Sequence, residues 1–447
     1  MYKVRKGIDH VLSRYGGLFL SIGFILVALF YGISRIFCVD FSCINGDYQT
    51  YNALRRVLDG QLPYTDFANY LGMGPIVLQV PLLSLHNSFA GSLFVTHFVA
   101  TLAFMLLVYL VFYLVAGRKL FSGVVALLLP KLISSQILRW LIPLYGEYTE
   151  NVLGMLNKPN NSERIVRMVL PVLYSLFVLG AIAWQRRKKS SATLRDLVRD
   201  PKRCAALGFI VGLGLTWSND FSFACIGSAT LVLLILAIAD RVEKRKKSWN
   251  RFLGYLPGLL LGMFGSMWLA SGGHPLSYLA FTKGVASWQF WYYGLGSLEK
   301  IYSLTQLLAN KNFVFNLCVY LTAMAICLIR LCQGKAHDRL IVLVFLYTSV
   351  FAAQFGYILG SGGNQFTEGT AGLCILLFWA LVLKGVLFFF RKGSAETWLR
   401  GGAVLVSCVF LGMMSFQNIN ALQNYRAQDF PSHTEGYLPA LEGVRCV

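Results

Sequence analysis

Charge is scarce in this chain. Only 13% of its 447 residues are Asp, Glu, Lys or Arg, about half the share of an ordinary soluble domain. No stretch is both long and polar enough to fold as a separate water-soluble unit. Carboxylates are scarcer still, 20 against 40 Lys and Arg. The resulting net charge of +20 does not mean nucleic-acid binding, because a basic face needs a folded domain to carry it. The ten cysteines form no Cys-x-x-Cys pair and no Cys/His metal spacing, so zinc and iron-sulfur sites have no framework. Most read as small apolar packers. Cys38 and Cys43 flank the first loop and read equally as an external disulfide or as free thiols. A glycine-rich phosphate loop and a Rossmann-like unit are also missing, which removes enzymes that bind soluble nucleotides.

What the chain has in quantity is apolar surface, with 56% hydrophobic residues and 14% aromatics. This is too apolar for a soluble fold and too regularly interrupted for one anchor. Apolar runs that read as spans fall at Gly17–Phe37, Leu93–Ala116, Leu120–Leu141, Ile165–Trp184, Ala205–Trp217, which is short for the bilayer and so is expected to set its turn below the outer surface, Phe221–Ala239 and Phe252–Ser271. Four more fall at Phe313–Cys332, Leu340–Leu359, Ala371–Phe390 and Ala403–Phe416. The first follows Lys3, Arg5, Lys6 and Arg14 without a small-residue cleavage pattern and reads as a signal anchor. Ile76–Leu85 is apolar too, but ten helical residues reach only about 15 Å, so it is expected to be interfacial or re-entrant.

Basic residues set the sidedness. With the N-terminus inside, cytoplasmic segments hold 26 Lys and Arg and external segments 11, which predicts N-in, C-out. Basic clusters at both ends of the Ala205–Ala239 run require it to double back at Trp217-Ser218-Asn219-Asp220. The expected fold is therefore an all-α polytopic membrane protein of about eleven transmembrane helices, one domain over 1–447. Its external segments are a first loop at 39–91 with interfacial helices, an aromatic-rich loop at 272–311 and a tail at 419–447. The cytoplasmic loops read as plain basic tethers.

Thirteen of the twenty carboxylates fall on the predicted external side, so a site is expected to open outward. In the first loop, Tyr48–Leu58 predicts a short amphipathic helix lying on the membrane and ended by Asp59-Gly60. Asp47 would precede it, either as a helix cap or as a functional carboxylate. The loop continues through Gly60-Gln-Leu-Pro63-Tyr64-Thr-Asp66 to Gly74-Pro75 and the short apolar run.

An acidic residue soon after the first helix, a Gly-x-x-Pro-Tyr-x-Asp turn, then Gly-Pro and an interfacial helix together resemble the first external loop of the GT-C glycosyltransferases. The motifs cover roughly the first 120 residues and the topology covers the whole chain. That family includes protein mannosyltransferases and lipid A aminoarabinose transferases. The resemblance implies a polyprenyl-phosphate sugar donor, with undecaprenyl phosphate the carrier in a bacterium, and a cell-envelope glycan or lipid as acceptor. It maps the family's proposed base onto Asp47. It also implies a site facing the periplasm from the inner membrane, and inversion at the anomeric carbon.

The chemistry needs a carboxylate to take the acceptor's proton and cations to stabilise the departing lipid phosphate. Lys283, in the aromatic stretch Phe281-Thr-Lys283-Gly-Val-Ala-Ser-Trp288-Gln289-Phe-Trp-Tyr292, is the first choice for the phosphate, with Arg139 and Arg35 as alternates. The competing reading of that stretch is an aromatic belt with a snorkelling lysine. Tyr64, Asp66, Asn219, Asp220, Trp288, Gln289, Tyr292 and Glu368 are the candidate substrate contacts. Lys131, inside a predicted span at a cost of about 3 kcal/mol, reads as structural or functional. Asn364 and Gln365 stand where family members often carry a late external His or aromatic motif, a departure from the pattern. No cofactor is expected. A divalent metal at Glu147 and Glu150 would lack Asp-x-Asp or a supporting His. The rival readings are a multi-span transporter or flippase and an O-antigen polymerase or ligase. The first lacks recognisable repeated halves here, and the second lacks a large late loop carrying arginines.

Overall fold

The computed structural model describes residues 2–37, 47–69, 72–84, 89–117, 119–120, 122–124, 126–127, 164–188, 193–243, 249–289, 311–333 and 338–360. The last two predicted spans, most of the third, and the external tail lie outside these residues.

The described chain is helical almost throughout. In order it forms α1 (Tyr2–Phe37), α2 (Asp47–Leu58), α3 (Gly74–Leu83), α4 (Phe89–Ala116), α5 (Arg164–Lys188) and the single turn α6 (Leu194–Leu197). Then come α7 (Pro201–Leu213), a 3-10 turn at Gly214–Thr216, α8 (Asn219–Val242), α9 (Asn250–Ala270), α10 (Pro275–Gln289), α11 (Lys311–Cys332) and α12 (Arg339–Gly360). Four stretches are long and apolar enough to cross a membrane: His97–Val115, Val169–Arg187, Phe221–Val242 and Asn250–Ala270. α9 makes the reason plain. One face buries Tyr255, Gly258, Leu259, Gly262 and Ser266, while Leu253, Leu260, Leu261, Phe264 and Leu269 are left more than half exposed on the other. Such a face is a liability in water and an ordinary one in lipid.

Hydrogen bonds and ion pairs join the described helices at their ends. At one end, the Trp217 indole N–H donates to the Val166 carbonyl at the start of α5 (2.9 Å), and Thr216 meets Ser266 of α9 through their hydroxyls (2.7 Å). At the other, Arg339 at the start of α12 donates to the Leu114 carbonyl in the last turn of α4 (2.6 Å), satisfying an otherwise orphan acceptor.

The basic loop segments are more organised than tethers, which corrects that expectation. Asp240 of α8 and Arg251 of α9, both almost fully buried, form an ion pair. Arg199 approaches the same carboxylate at 3.5 Å, and Arg195 reaches Glu243 at 2.7 Å. A capping box between Thr193 and Asp196 starts α6 and so positions Arg195. Buried charge persists only when it is paired in this way, and the pairing clasps α6, α8 and α9 together.

α7 and α9 touch backbone to backbone. A Cβ at Gly258 would lie 2.1 Å from the Ala205 carbonyl oxygen, one at Gly262 2.3 Å from that of Phe209, and one at Gly208 2.3 Å from that of Tyr255. Glycines four apart on both helices therefore open reciprocal grooves, and close van der Waals contact holds the pair. Tyr255 extends the contact to α8, its hydroxyl meeting that of Thr230 at 3.0 Å.

Candidate functional site

The first loop is built as a chain of locally determined pieces. α2 starts at Asp47 itself, one residue earlier than the sequence suggests, and stops at Leu58, with Gly60 taking φ +84°. Its apolar face, Ala53 and Leu54, is buried against Ile76 and Leu83 of α3 and Val95 of α4. α2 thus packs its apolar face on α3 and α4. α3 begins with Pro75 in its first turn, where a missing N–H costs nothing. Its one buried polar residue, Gln79, donates to the Pro75 carbonyl (3.0 Å) and accepts from Ser92 of α4.

Between the two helices, residues 61–67 wind into a tight turn. One carboxylate oxygen of Asp66 accepts the Leu62 N–H (2.7 Å), and the Tyr64 N–H donates to the Phe67 carbonyl (2.9 Å). Arg56 stacks its guanidinium 4.7 Å from the centre of the Phe67 ring. Within this turn Tyr64 adopts φ 65°, a left-handed conformation that costs a non-glycine residue roughly 1–2 kcal/mol.

The turn is pinned to distant parts of the chain. Tyr64 enters an aromatic slot on α10, with ring centroids 4.8 Å from Tyr278 and 5.2 Å from Phe281. Thr65 donates to the Ser271 carbonyl at the end of α9 (3.2 Å). Further on, the Met73 and Gly74 amides donate to the Thr216 and Trp217 carbonyls (2.6 and 3.0 Å). Gly72, at φ +98°, is the residue that allows this approach, since a Cβ there would sit 2.4 Å from the Trp217 oxygen. Three segments far apart in sequence, 62–74, 214–218 and 266–281, thus meet at one end of the helices.

At their junction the Tyr64 side chain is 6% exposed, and its hydroxyl has no hydrogen-bond partner among the described residues. Burial, reinforced by the neighbouring Tyr278 phenol, pushes its pKa far above the usual tyrosine range. The group is therefore a neutral hydroxyl able to donate or accept one hydrogen bond. Leaving such a group unsatisfied costs about 1–3 kcal/mol, so the slot favours a visitor with a matching polar atom.

The other sequence-derived candidates fall variously. Asp66 is exposed with one oxygen committed to the turn. Lys283 is exposed on α10, five residues beyond Tyr278. That helix occupies the first half of what reads from sequence as an aromatic-rich loop. Asn219 and Asp220 begin α8 instead of lying in the preceding turn, because Ser218 caps the helix and accepts the Phe221 N–H. Trp217 is taken up by the Val166 bond and by packing under Gly74. Arg35 lies in the last turn of α1, and Trp288 and Gln289 end α10; these three side chains, with those of Asp47, Asn219 and Asp220, are outside the described set. Arg139, Tyr292 and Glu368, like Cys38, Cys43, Lys131, Glu147 and Glu150, fall outside the described residues altogether. Among the described residues no group of three His, Cys, Asp or Glu side chains could hold a metal ion.

Tyr278, Phe281 and Ser271 are the contacts that sequence reasoning missed. Their signal is only an aromatic spacing of three on α10, common to any membrane-interface helix. Compared with protein-family models, curated proteins and solved structures, the chain matches none.

Proposed function

We propose that this chain is a polytopic glycosyltransferase of the bacterial inner membrane, transferring a sugar from a polyprenyl-phosphate donor to a cell-envelope glycan or lipid on the periplasmic side. The observation that supports it is the convergence of the first loop, the 214–218 turn and the α9–α10 junction around the buried Tyr64 hydroxyl, which has no hydrogen-bond partner among the described residues. In this reading the chain spans the membrane eleven times, N-in and C-out, so that this end faces outward.

Each residue then has a task. Asp47 takes the acceptor hydroxyl's proton as that oxygen attacks the anomeric carbon and the bond to the lipid phosphate breaks, giving inversion. Lys283, with Arg139 and Arg35, stabilises the charge left on the departing phosphate. Tyr64 hydrogen-bonds a sugar or acceptor hydroxyl, with Asp66, Asn219, Asp220, Trp288, Gln289, Tyr292 and Glu368 completing the substrate contacts. A lipid-borne donor explains how an outward site works without a nucleotide fold.

The test uses purified protein in nanodiscs with a panel of radiolabelled polyprenyl-phosphate sugars and envelope extract. Label moving from donor to an envelope component supports the transferase. If donors stay intact while a labelled lipid or solute crosses proteoliposomes, the chain is a transporter.

A further inference from the structure

A second cleft lies at the opposite end of the helices, between α5 and α7. Phe177, Ala181 and Trp184 of α5 line one wall at helical spacing, and Ala206 and Leu207 of α7 the other, with Arg203 at its rim. It is open to the surroundings, a shallow cleft with a cavity volume of about 90 Å³. Arg203 is the basic residue of its lining. Two exposed cations adjoin lining residues in sequence, Arg187 one turn beyond Trp184 and Lys202 just before Arg203. Arg203 is ion-paired with the exposed Asp200, its Nε 3.3 Å from a carboxylate oxygen. Trp184, half exposed beside these cations, is placed as tryptophan is at a membrane surface. The other acidic group nearby, Asp196, is engaged by Thr193 and Arg199.

An apolar floor with Arg203 at its rim and two exposed cations next to lining residues in sequence fits one ligand class. We propose that the α5–α7 cleft binds an anionic glycerophospholipid, its phosphate on Arg203, Lys202 and Arg187 and an acyl chain along Phe177, Ala181 and Ala206. Basic pockets between helices hold anionic headgroups by the same combination of charge and apolar contact. The site is remote from Tyr64 and independent of which sugar, if any, the protein transfers.

The test is native mass spectrometry of delipidated protein in neutral detergent, titrated with phosphatidylglycerol or phosphatidylcholine. Phosphatidylglycerol is expected to bind at least about tenfold more tightly. The R187Q/K202Q/R203Q variant should bring it down to the phosphatidylcholine level, and Ala206→Trp, which fills an exposed part of the cleft, should weaken both lipids. Asp200→Asn keeps a helix cap while freeing Arg203 and should tighten phosphatidylglycerol binding, a gain that a misfolded variant cannot mimic. Equal binding of the two lipids to the wild type overturns the proposal. So does undiminished phosphatidylglycerol binding by the triple variant, or its displacement by an equal concentration of inorganic phosphate, which would make the mouth an anion site alone.

Discussion

Tyr64 carries two unfavourable features at once, a left-handed backbone and a buried hydroxyl without a partner among the described residues. Neither helps the fold. The ring does, because it fills the slot between Tyr278 and Phe281. The two contributions separate by substitution. Tyr64→Phe keeps the ring and removes the unsatisfied group, so thermal unfolding should show stability unchanged or raised by about 1 kcal/mol. Sugar transfer should fall by about tenfold if the hydroxyl meets substrate, the worth of one lost hydrogen bond. Tyr64→Ala should instead cost about 3 kcal/mol of stability by emptying the slot. A Tyr64→Phe variant that unfolds more easily would assign the hydroxyl a structural partner.

At the scale of elements, the glycine seam between α7 and α9 makes the sharpest prediction. Gly258→Ala puts a methyl carbon 2.1 Å from a backbone oxygen that belongs to the facing helix. The helices must separate, and a loss of about 2 kcal/mol is expected in chemical or thermal unfolding. Ala at Gly284 or Gly180, where nothing lies within 4 Å, should be neutral or slightly stabilising. Much of this level was legible in the sequence. Apolar length set the position of α4, α5, α8, α9, α11 and α12, and opposed basic clusters required a reversal, read at 217–220 and found a few residues earlier, with a 3-10 turn at Gly214–Thr216 and the next helix starting at Asn219. The seam was missed, although Gly208-x-x-x-Gly212 and Gly254-x-x-x-Gly258-x-x-x-Gly262 carry the small-residue spacing that lets helices approach. Helix starts were less legible: Asn219 and Asp220, read as part of the turn, begin α8 behind a Ser218 cap, since Ser, Asn and Asp suit turns and caps alike. α10 was hidden because its aromatics suit a loop and an interfacial helix equally.

For the whole molecule, the two ends are held by different physics. One is closed by the first loop, through backbone hydrogen bonds and ring contacts that no local pattern announces, so the pairing of Tyr64 with α10 was not readable from either segment. The other is held by charge. Asp240→Asn leaves Arg251 buried beside a neutral group, and a loss of about 3 kcal/mol is expected by thermal unfolding. Arg199→Gln, which removes a more exposed and more distant partner, should cost less than about 1 kcal/mol. A comparable loss for both would mean that the cluster is one cooperative unit.

The central claim is that the first-loop end performs base-assisted sugar transfer. Its most direct test is the rate of transfer by Asp47→Asn relative to wild type, in the same nanodiscs and with the same donor. The substitution keeps size and polarity while removing the base. A fall of at least about a hundredfold with unchanged unfolding temperature is predicted. Transfer at the wild-type rate would contradict the assignment of Asp47 as the base.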